Sequence, residues 1–180
     1  MTEHISVRGR RVSQQTREEA VKRRAGVIAG VVVTAAIAMG GLAHSASAQE
    51  ASEVNAVKAA NAAFYAALSA RDIGAVMKSW STKSEVRHIG PRNQDVDVGL
   101  DAIKKTIQAT MEAFPELEVT PEQVHIRIVG SVAWVSDIEK TQRKNKAGEV
   151  QSGSNFGTSI FEKQGGKWLM VHHHASAIPR

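Results

Sequence analysis

Two histidines near the end of the chain, His172 and His174, have the side chains best suited to acid–base chemistry. Imidazole changes protonation state near neutral pH, so a histidine in a pocket can take a proton from a substrate and return it. On a β-strand these two residues would share a face, with their Cα atoms about 6.5 Å apart. Both rings could therefore reach one ligand, and we take them as candidate general bases. The alternative is that both are hydrogen-bonded wall residues that shape a pocket without reacting.

The stretch around these histidines has the composition of a pocket floor. The pair Gly165-Gly166 precedes an apolar run beginning at Trp168, which predicts a turn followed by a strand. If side chains alternate strictly, His173 faces away from the pocket and is exposed or lies at a subunit interface. The pocket face then carries Trp168, Met170, His172, His174 and Ser176. A face that is apolar at one end and polar at the other is typical of ligand sites.

Four further side chains are candidates for lining this pocket. Tyr65, on a predicted helix, could donate a hydrogen bond to an oxyanion, although a packing role explains it as well. Trp80 and Trp134 could form aromatic walls, or could equally belong to the core. In a short strand predicted from Ser84 to Ile89, His88 facing inward would add a third polar group to the pocket. Arg87 facing inward would instead favour an anion.

We expect no metal or cofactor. His172 and His174 offer two ligands and His88 a third, but a catalytic zinc site usually has three protein ligands, commonly with a carboxylate nearby. The nearest candidate carboxylate, Asp137, lies on the opposite strand face from Trp134. If Trp134 looks into the pocket, Asp137 looks away from it.

The elements that must position these residues are three helices followed by strands. Apolar residues at helical spacing predict a helix from Ala51 to Ala70, a short one that Asp72 can cap, and a third from Leu100 to Phe114 that Pro115 ends. After Pro115, alternating segments separated by Gly130-Ser131 and Gly165-Gly166 predict an antiparallel sheet. Helices first and strands afterwards indicate an α+β domain.

The first 48 residues have the order of a secretory signal peptide. Basic residues precede an apolar run from Ala25 to Ala43, and Ala46-Ser47-Ala48 forms a small-x-small cleavage site. We expect a signal peptide over residues 1–48, a domain over 49–180, and export to the periplasm or outside the cell. The alternative is a retained anchor, because about 20 apolar residues can span a bilayer.

Charge and cysteine content narrow the classes of partner. Seven of the 23 basic and three of the 18 acidic residues precede residue 49, which leaves 16 and 15 in the remainder. A net charge near +1 gives no support for a nucleic-acid-binding surface, and we expect no membrane contact after cleavage. The chain has no cysteine, so no disulfide stabilises it.

Several short segments, taken in order, resemble SnoaL-like domains. They run from residues 61–72 through Ser79-Trp80-Ser81, Gly99-Leu100-Asp101-Ala102-Ile103 and Ala133-Trp134-Val135 to residues 168–176. The resemblance implies the cone-shaped α+β barrel of the nuclear transport factor 2-like superfamily, also called cystatin-like, whose curved antiparallel sheet wraps around N-terminal helices. It also implies a cavity floored by the last strand and dimerisation through the sheet. The isomerases and cyclases of that superfamily rely on aspartates that we cannot match here.

Three functions remain open from the sequence. We favour an exported domain that binds a small, apolar or carbonyl-containing molecule without a defined activity. The second possibility is an isomerase-, cyclase- or dehydratase-like enzyme that uses His172 or His174 as general base. The third is a homo-oligomeric assembly domain whose cavity is vestigial. A shared fold does not choose among them.

Overall fold

The computed structural model describes residues 48–179. Helix α1 covers residues 48–69, α2 Ile73–Lys78 and α3 Leu100–Ala113. The strands are β1 Arg87–Ile89, β2 Asp97–Val98, β3 Glu116–Val129, β4 Val132–Lys144, β5 Val150–Gln164 and β6 Lys167–Ala177. The signal peptide predicted over residues 1–48 falls almost wholly outside the described residues. Within the described residues, no helix is both long and apolar enough to cross a bilayer.

The strands form one curved, six-stranded sheet in the order β2-β1-β6-β5-β4-β3. Strand β1 runs parallel to β6, and the other neighbours pair in antiparallel fashion. Both Gly165 and Gly166, which join β5 to β6, have positive φ values of 57° and 79°. A tight hairpin of this kind requires two such residues, and glycine adopts them without a side-chain clash. The predicted α+β fold with N-terminal helices is confirmed.

The helices pack one apolar face each against the inward face of the sheet. Asp72 caps α2 by accepting a hydrogen bond from the Ala75 backbone N–H at 2.9 Å, as its position predicts. Trp80 follows α2 and forms a parallel bridge to Met170 of β6. The buried core includes Val57, Phe64, Val76, Trp80, Ile103, Ile107, Phe161 and Met170. Burial of apolar area of this kind is the main stabilising contribution to such a fold.

A β-bulge in the middle of β6 changes which histidine faces inward. Phe161 of β5 pairs with Met170, but the preceding residue, Ile160, pairs with His172, so Val171 is an extra residue on β6. A shift of one residue moves every later side chain to the opposite face. His173 is therefore buried, with 4% of its surface exposed, whereas His174 is exposed. The expectation that His172 and His174 point inward is wrong.

Candidate functional site

Strand β4 supplies the polar centre of the molecule from its inward face. Apolar Ala133 and Val135 lie at one end of this face, and the carboxyl groups of Asp137 and Glu139 follow at every second residue. Both acids are buried, with 6% and 4% of their surface exposed. Trp134 lies on the outer face and is 43% exposed. The expectation that Trp134 lines the pocket and Asp137 points away is therefore reversed, because the phase of β4 is set by Ala133 and Val135.

Helix α1 brings two polar side chains to these carboxyl groups. Tyr65 Oη lies 2.9 Å from Glu139 Oε1 and 3.2 Å from the nearer oxygen of Asp137. Asn61, one turn earlier, donates from Nδ2 to Asp137 Oδ2 at 3.0 Å. Asn61 and Tyr65 share the buried face of α1 with Val57 and Phe64. The Tyr65 hydroxyl is thus held by the protein's own carboxyl groups and is not free to serve as the predicted oxyanion donor.

Strands β5 and β6 complete this buried network around His173. The Nε2 of His173 lies 3.2 Å from Glu139 Oε1, and its Nδ1 lies 3.0 Å from the Ser159 hydroxyl. Asn155 donates to the other Glu139 oxygen at 3.0 Å. Both ring nitrogens of His173 are thereby engaged within the protein. Its ring fixes the orientation of the Glu139 carboxylate, and neither ring nitrogen is left to accept a proton from a substrate.

The two buried acids have pKa values displaced in opposite directions. Burial raises the pKa of Asp137, and the nearby charge of Glu139 adds to this, against hydrogen bonds from Asn61 and Tyr65. Burial acts in the same direction on Glu139, but the hydrogen bond and charge of His173, with hydrogen bonds from Asn155 and Tyr65, hold its pKa below the usual range. Burial and the two acids raise the pKa of Tyr65 far above its usual value. Glu139 therefore carries the negative charge, and Asp137 is the acid that holds a proton more readily.

A second histidine–carboxylate pair lies on the other side of the site. His88 Nδ1 lies 2.9 Å from Asp97 Oδ2, which also accepts a hydrogen bond from Asn93 Nδ2 at 2.8 Å. Thr106 of α3 donates to Asp97 Oδ1 at 2.9 Å. These hydrogen bonds outweigh the effect of burial and lower the pKa of Asp97. An ionised carboxylate only accepts, so Nδ1 of His88 carries the hydrogen and Nε2 presents a lone pair.

His88 is held in its neutral form. Burial and the neighbouring His173 lower its pKa to about 4, in spite of the opposing effect of Asp97. The two imidazole rings stack at a centroid distance of 5.6 Å and an angle of 13°. No hydrogen bond within the described part of the chain occupies Nε2 of His88. His88 is thus the histidine whose free nitrogen is available to a ligand.

These groups line a partly open cavity of about 110 Å³. One side is apolar, formed by Phe64, Leu68, Ile107, Met111 and Val119. The polar side presents Tyr65, His88, Glu139, Asn155 and His173. Arg92 and Arg143 lie at the rim with Phe114, whose ring both guanidinium groups contact. An apolar cavity with a few converging polar groups is the usual form of a small-molecule site.

The structure brings only part of the predicted pocket together. Tyr65 and His88 line the cavity. Trp80 and Met170 are fully buried core residues, and Trp80 meets the site through edge contacts with the rings of His88 and Phe64, each at 6.2 Å. Ser176, like Trp134, lies on the outer face of the sheet, because the bulge turns it away from the cavity.

Several site residues escaped the sequence reasoning. Glu139, Asn155, Ser159, Asn61 and Asp97 were not singled out. The sequence pattern did indicate Glu139, because it falls on the same strand face as Ala133, Val135 and Asp137, at every second residue. Asn61 likewise shares a helix face with Val57 and Phe64. Polar residues on otherwise apolar faces are costly unless they are paired, which marks them as candidates for a site.

The described residues contain no group of three or more histidine, aspartate or glutamate side chains arranged to hold a metal ion. The two histidines of the site each take one carboxylate partner from a different element, Asp97 for His88 and Glu139 for His173.

Comparison with known families matches the SnoaL-like domain over residues 57–180. The chain belongs to the SnoaL-like domain family. This confirms the resemblance drawn from the sequence and places the chain in the nuclear transport factor 2-like superfamily. No curated protein matches the chain.

Solved structures share the fold of this SnoaL-like domain at low sequence identity. A proposed dehydratase of the nuclear transport factor 2-like family from Streptomyces avermitilis is 20% identical, with a TM-score of 0.66, over 72% of this chain and 99% of that one. A ketosteroid isomerase-like protein from Erwinia carotovora is 21% identical, with a TM-score of 0.62, over 71% and 98%. A nuclear transport factor 2-like superfamily protein from Salmonella enterica is 16% identical, with a TM-score of 0.64, over 69% and 89%. At these identities the likeness shows the fold.

Proposed function

We propose that this SnoaL-like domain binds a small organic molecule in the cavity between α1, α3 and the sheet. Members of this fold family bind small molecules or act as isomerases or dehydratases, and no specific one of these activities is assigned by the fold. The observation that carries the proposal is the cavity itself, which joins an apolar wall to His88, whose Nε2 is not occupied by a hydrogen bond within the described residues. A molecule with an apolar body and one polar group fits both surfaces.

The volume of the cavity limits the size of the buried part of the ligand. A protein cavity of about 150 Å³ accommodates benzene. The 110 Å³ found here is smaller, so it encloses about four non-hydrogen atoms, and a larger ligand must extend through the mouth. This favours short-chain or single-ring compounds over polycyclic ones such as steroids.

The test is thermal unfolding of the protein in the presence of small aliphatic and aromatic carbonyl compounds, alcohols and acids. A ligand at 100 times its dissociation constant stabilises the fold by about 2.7 kcal/mol. In Ala175→Leu the new side chain fills the cavity, so binding is lost. Ala66→Leu adds the same side chain at an exposed position of α1, outside the cavity lining, and keeps binding. Ligands that bind Ala175→Leu as well as the wild type would place binding elsewhere.

A second candidate function at the same site is proton transfer with His88 as general base. A neutral imidazole with Nδ1–H fixed by a carboxylate and Nε2 free is suited to take a proton from carbon next to a carbonyl group. Returning it to a different carbon isomerises the ligand without any other reactant. Dehydratase and isomerase chemistry, the descriptions given to two proteins of this fold, both begin with such a transfer.

Proton transfer is measured as solvent deuterium exchange into a bound ketone, followed by proton NMR in D₂O. We expect His88→Asn to abolish exchange near neutral pH, because the amide side chain of asparagine does not take up a proton there. The same change at His172 or His174, which the sequence favoured as bases, leaves exchange intact. Exchange that depends on His172 or His174 and not on His88 would support the sequence-based prediction that one of those two histidines is the general base.

Domains of this superfamily often form dimers, and we propose a homodimer through the outer face of the sheet. Trp134 and Phe156 are 43% and 55% exposed there, and Val132 is 37% exposed. Large exposed apolar patches commonly mark interaction surfaces. The assembly-domain alternative combines such an oligomer with a cavity that no small molecule stabilises.

We also propose that the protein is exported, on the strength of the basic and apolar segments that precede residue 49. Mass spectrometry of the protein recovered outside the cytoplasm should give an N-terminus near Gln49. An N-terminus at Met1 in a membrane fraction would support the retained anchor instead.

A further inference from the structure

Two arginines at the cavity mouth share a single aromatic ring. The guanidinium carbon of Arg92, in the loop between β1 and β2, lies 4.5 Å from the centre of the Phe114 ring, and that of Arg143, on β4, lies 4.9 Å from it. Both arginines also line the cavity. Each cation is attracted by the negative π-face of the ring, and contact with the same ring keeps both guanidinium groups at one place on the cavity rim.

Within the described residues, these two guanidinium groups have no acidic partner. Arg143 donates from Nε to the neutral Gln151 Oε1 at 3.2 Å, and Arg92 has no hydrogen bond to any residue between 48 and 179. The other arginines near them are partnered differently. Arg71 donates to the backbone carbonyls of Met111 and Pro115, and Arg87 pairs with Glu85.

The proximity of two unpaired cations has an electrostatic consequence. Burial and the charge of Arg143 lower the pKa of Arg92, which expresses the mutual repulsion. An anion placed between the two groups removes that repulsion and gains charge-assisted hydrogen bonds. The planar guanidinium fork matches the two oxygens of a carboxylate.

The charges inside the cavity determine the orientation of such a ligand. Glu139 and Asp97 already place negative charge beside the cavity, so an anionic group deep inside would be repelled. The rim is positive and the interior wall is apolar. A ligand with one charged end therefore keeps this end at the rim and its uncharged end near His88.

We propose that the ligand of this domain is a short carboxylic acid, whose carboxylate is bound by Arg92 and Arg143 while its uncharged body enters the cavity toward His88. This inference rests on the proposed small-molecule function and names its ligand class. Arg92 and Arg143 are then the residues that determine specificity for an acid over a neutral analogue.

The experiment compares each acid with its primary amide by isothermal titration calorimetry. The probes are phenylacetate with phenylacetamide, benzoate with benzamide, and hexanoate with hexanamide, which match in shape and differ in charge. For the wild-type protein we expect at least one acid to bind about tenfold or more tightly than its amide. Arg92→Gln/Arg143→Gln should reduce this preference below about threefold, because it weakens binding of the acid more than binding of the amide.

The control variant is Arg127→Gln, which removes the same charge from an exposed position on β3, outside the cavity lining. It should retain the acid preference. The double variant loses a repulsion and also the contacts of both arginines with Phe114, so its thermal unfolding without ligand is measured first to show that it is folded. Arg92→Gln alone provides a second, milder variant with the same direction of effect.

The outcomes separate this inference from the function on which it rests. Amides that bind as tightly as their acids, or an acid preference that survives in the double variant, would overturn the carboxylate assignment and leave small-molecule binding in place. A folded wild-type protein that binds neither the acids nor the amides nor any neutral compound would overturn both.

Discussion

The chemistry of the site depends on which of its histidines is left with a free nitrogen. His173 is held at both ring nitrogens, by Glu139 and Ser159. His88 is held at one, by Asp97, and its lowered pKa keeps it neutral through the physiological range. A base of this kind is weak but fully available at neutral pH, since no proton has to leave it first.

The pKa of His88 gives a prediction about stability. In the unfolded chain its pKa is 6.5 and in the folded protein about 4, so between these values only the unfolded chain takes up the proton. Lowering the pH from 6.5 to 4 should therefore cost up to about 3 kcal/mol through this residue. His88→Asn cannot titrate, so its urea-unfolding free energy should fall less over this range.

The control for this prediction is His125→Asn, which changes an exposed histidine of β3. Its pH profile should follow the wild-type profile. Parallel profiles for wild type and His88→Asn would show that folding does not lower the pKa of His88.

The hydroxyl of Tyr65 separates two buried acids, and this gives a second prediction at the level of single residues. Tyr65→Phe removes a buried hydrogen-bond donor and leaves Asp137 and Glu139 facing each other without it. We expect a loss of about 2 kcal/mol in unfolding free energy, measured with urea. In the Asp137→Asn background the same change should cost less, because one acid of the pair is neutral. Equal costs in both backgrounds would mean that the hydroxyl does not mediate between the acids.

At the scale of single elements, the site requires strand β5 to approach β4 very closely beside the two acids. Gly157 of β5 pairs with Asp137 of β4, and a Cβ at this glycine would lie 2.2 Å from Asp137 Oδ1. That carboxyl group cannot simply swing away, since Asn61 and Tyr65 hold it. The absence of a side chain at residue 157 is thus part of how the acids fit.

Gly157→Ala should therefore lower the unfolding free energy by about 1–3 kcal/mol. Gly153→Ala, four residues earlier on the same face of β5, is the matched control. The nearest atom to its new Cβ would be Thr141 Oγ1 at 3.4 Å, so we expect a change within about 0.5 kcal/mol. Similar effects at both positions would indicate a general cost of alanine in β5 and no specific conflict with Asp137.

At the scale of the whole molecule, the sheet has an enclosed inner face, which carries the apolar core and the polar site, and an outer face with exposed aromatic residues. The inner face holds the site, and the proposed dimer would use the outer one. Trp134→Glu places a charge on that face without touching the cavity. Light scattering at micromolar concentration should change from dimer to monomer, with ligand binding retained. A wild-type monomer under the same conditions would overturn the proposed dimer.

The sequence by itself determined the helices and the fold class, because their signals are local. Helical spacing of apolar residues, the Asp72 cap and the break at Pro115 act within a few residues of where they stand. The short segments that resemble SnoaL-like domains are also local, since each consists of consecutive residues, and the family match confirms the resemblance. Tyr65 and His88 were also candidates from the sequence and both line the cavity, although the Tyr65 hydroxyl is not free for the role predicted for it.

Only the tertiary structure decided which strand faces look inward. Alternation divides β4 into two faces, but the larger aromatic residue, Trp134, drew the prediction to the wrong one. In β6 the extra residue Val171 arises from pairing with β5 and moves His173 into the site in place of its neighbours. The phase of a strand depends on the register with its partners and on what covers each face, and both are properties of residues far apart in sequence.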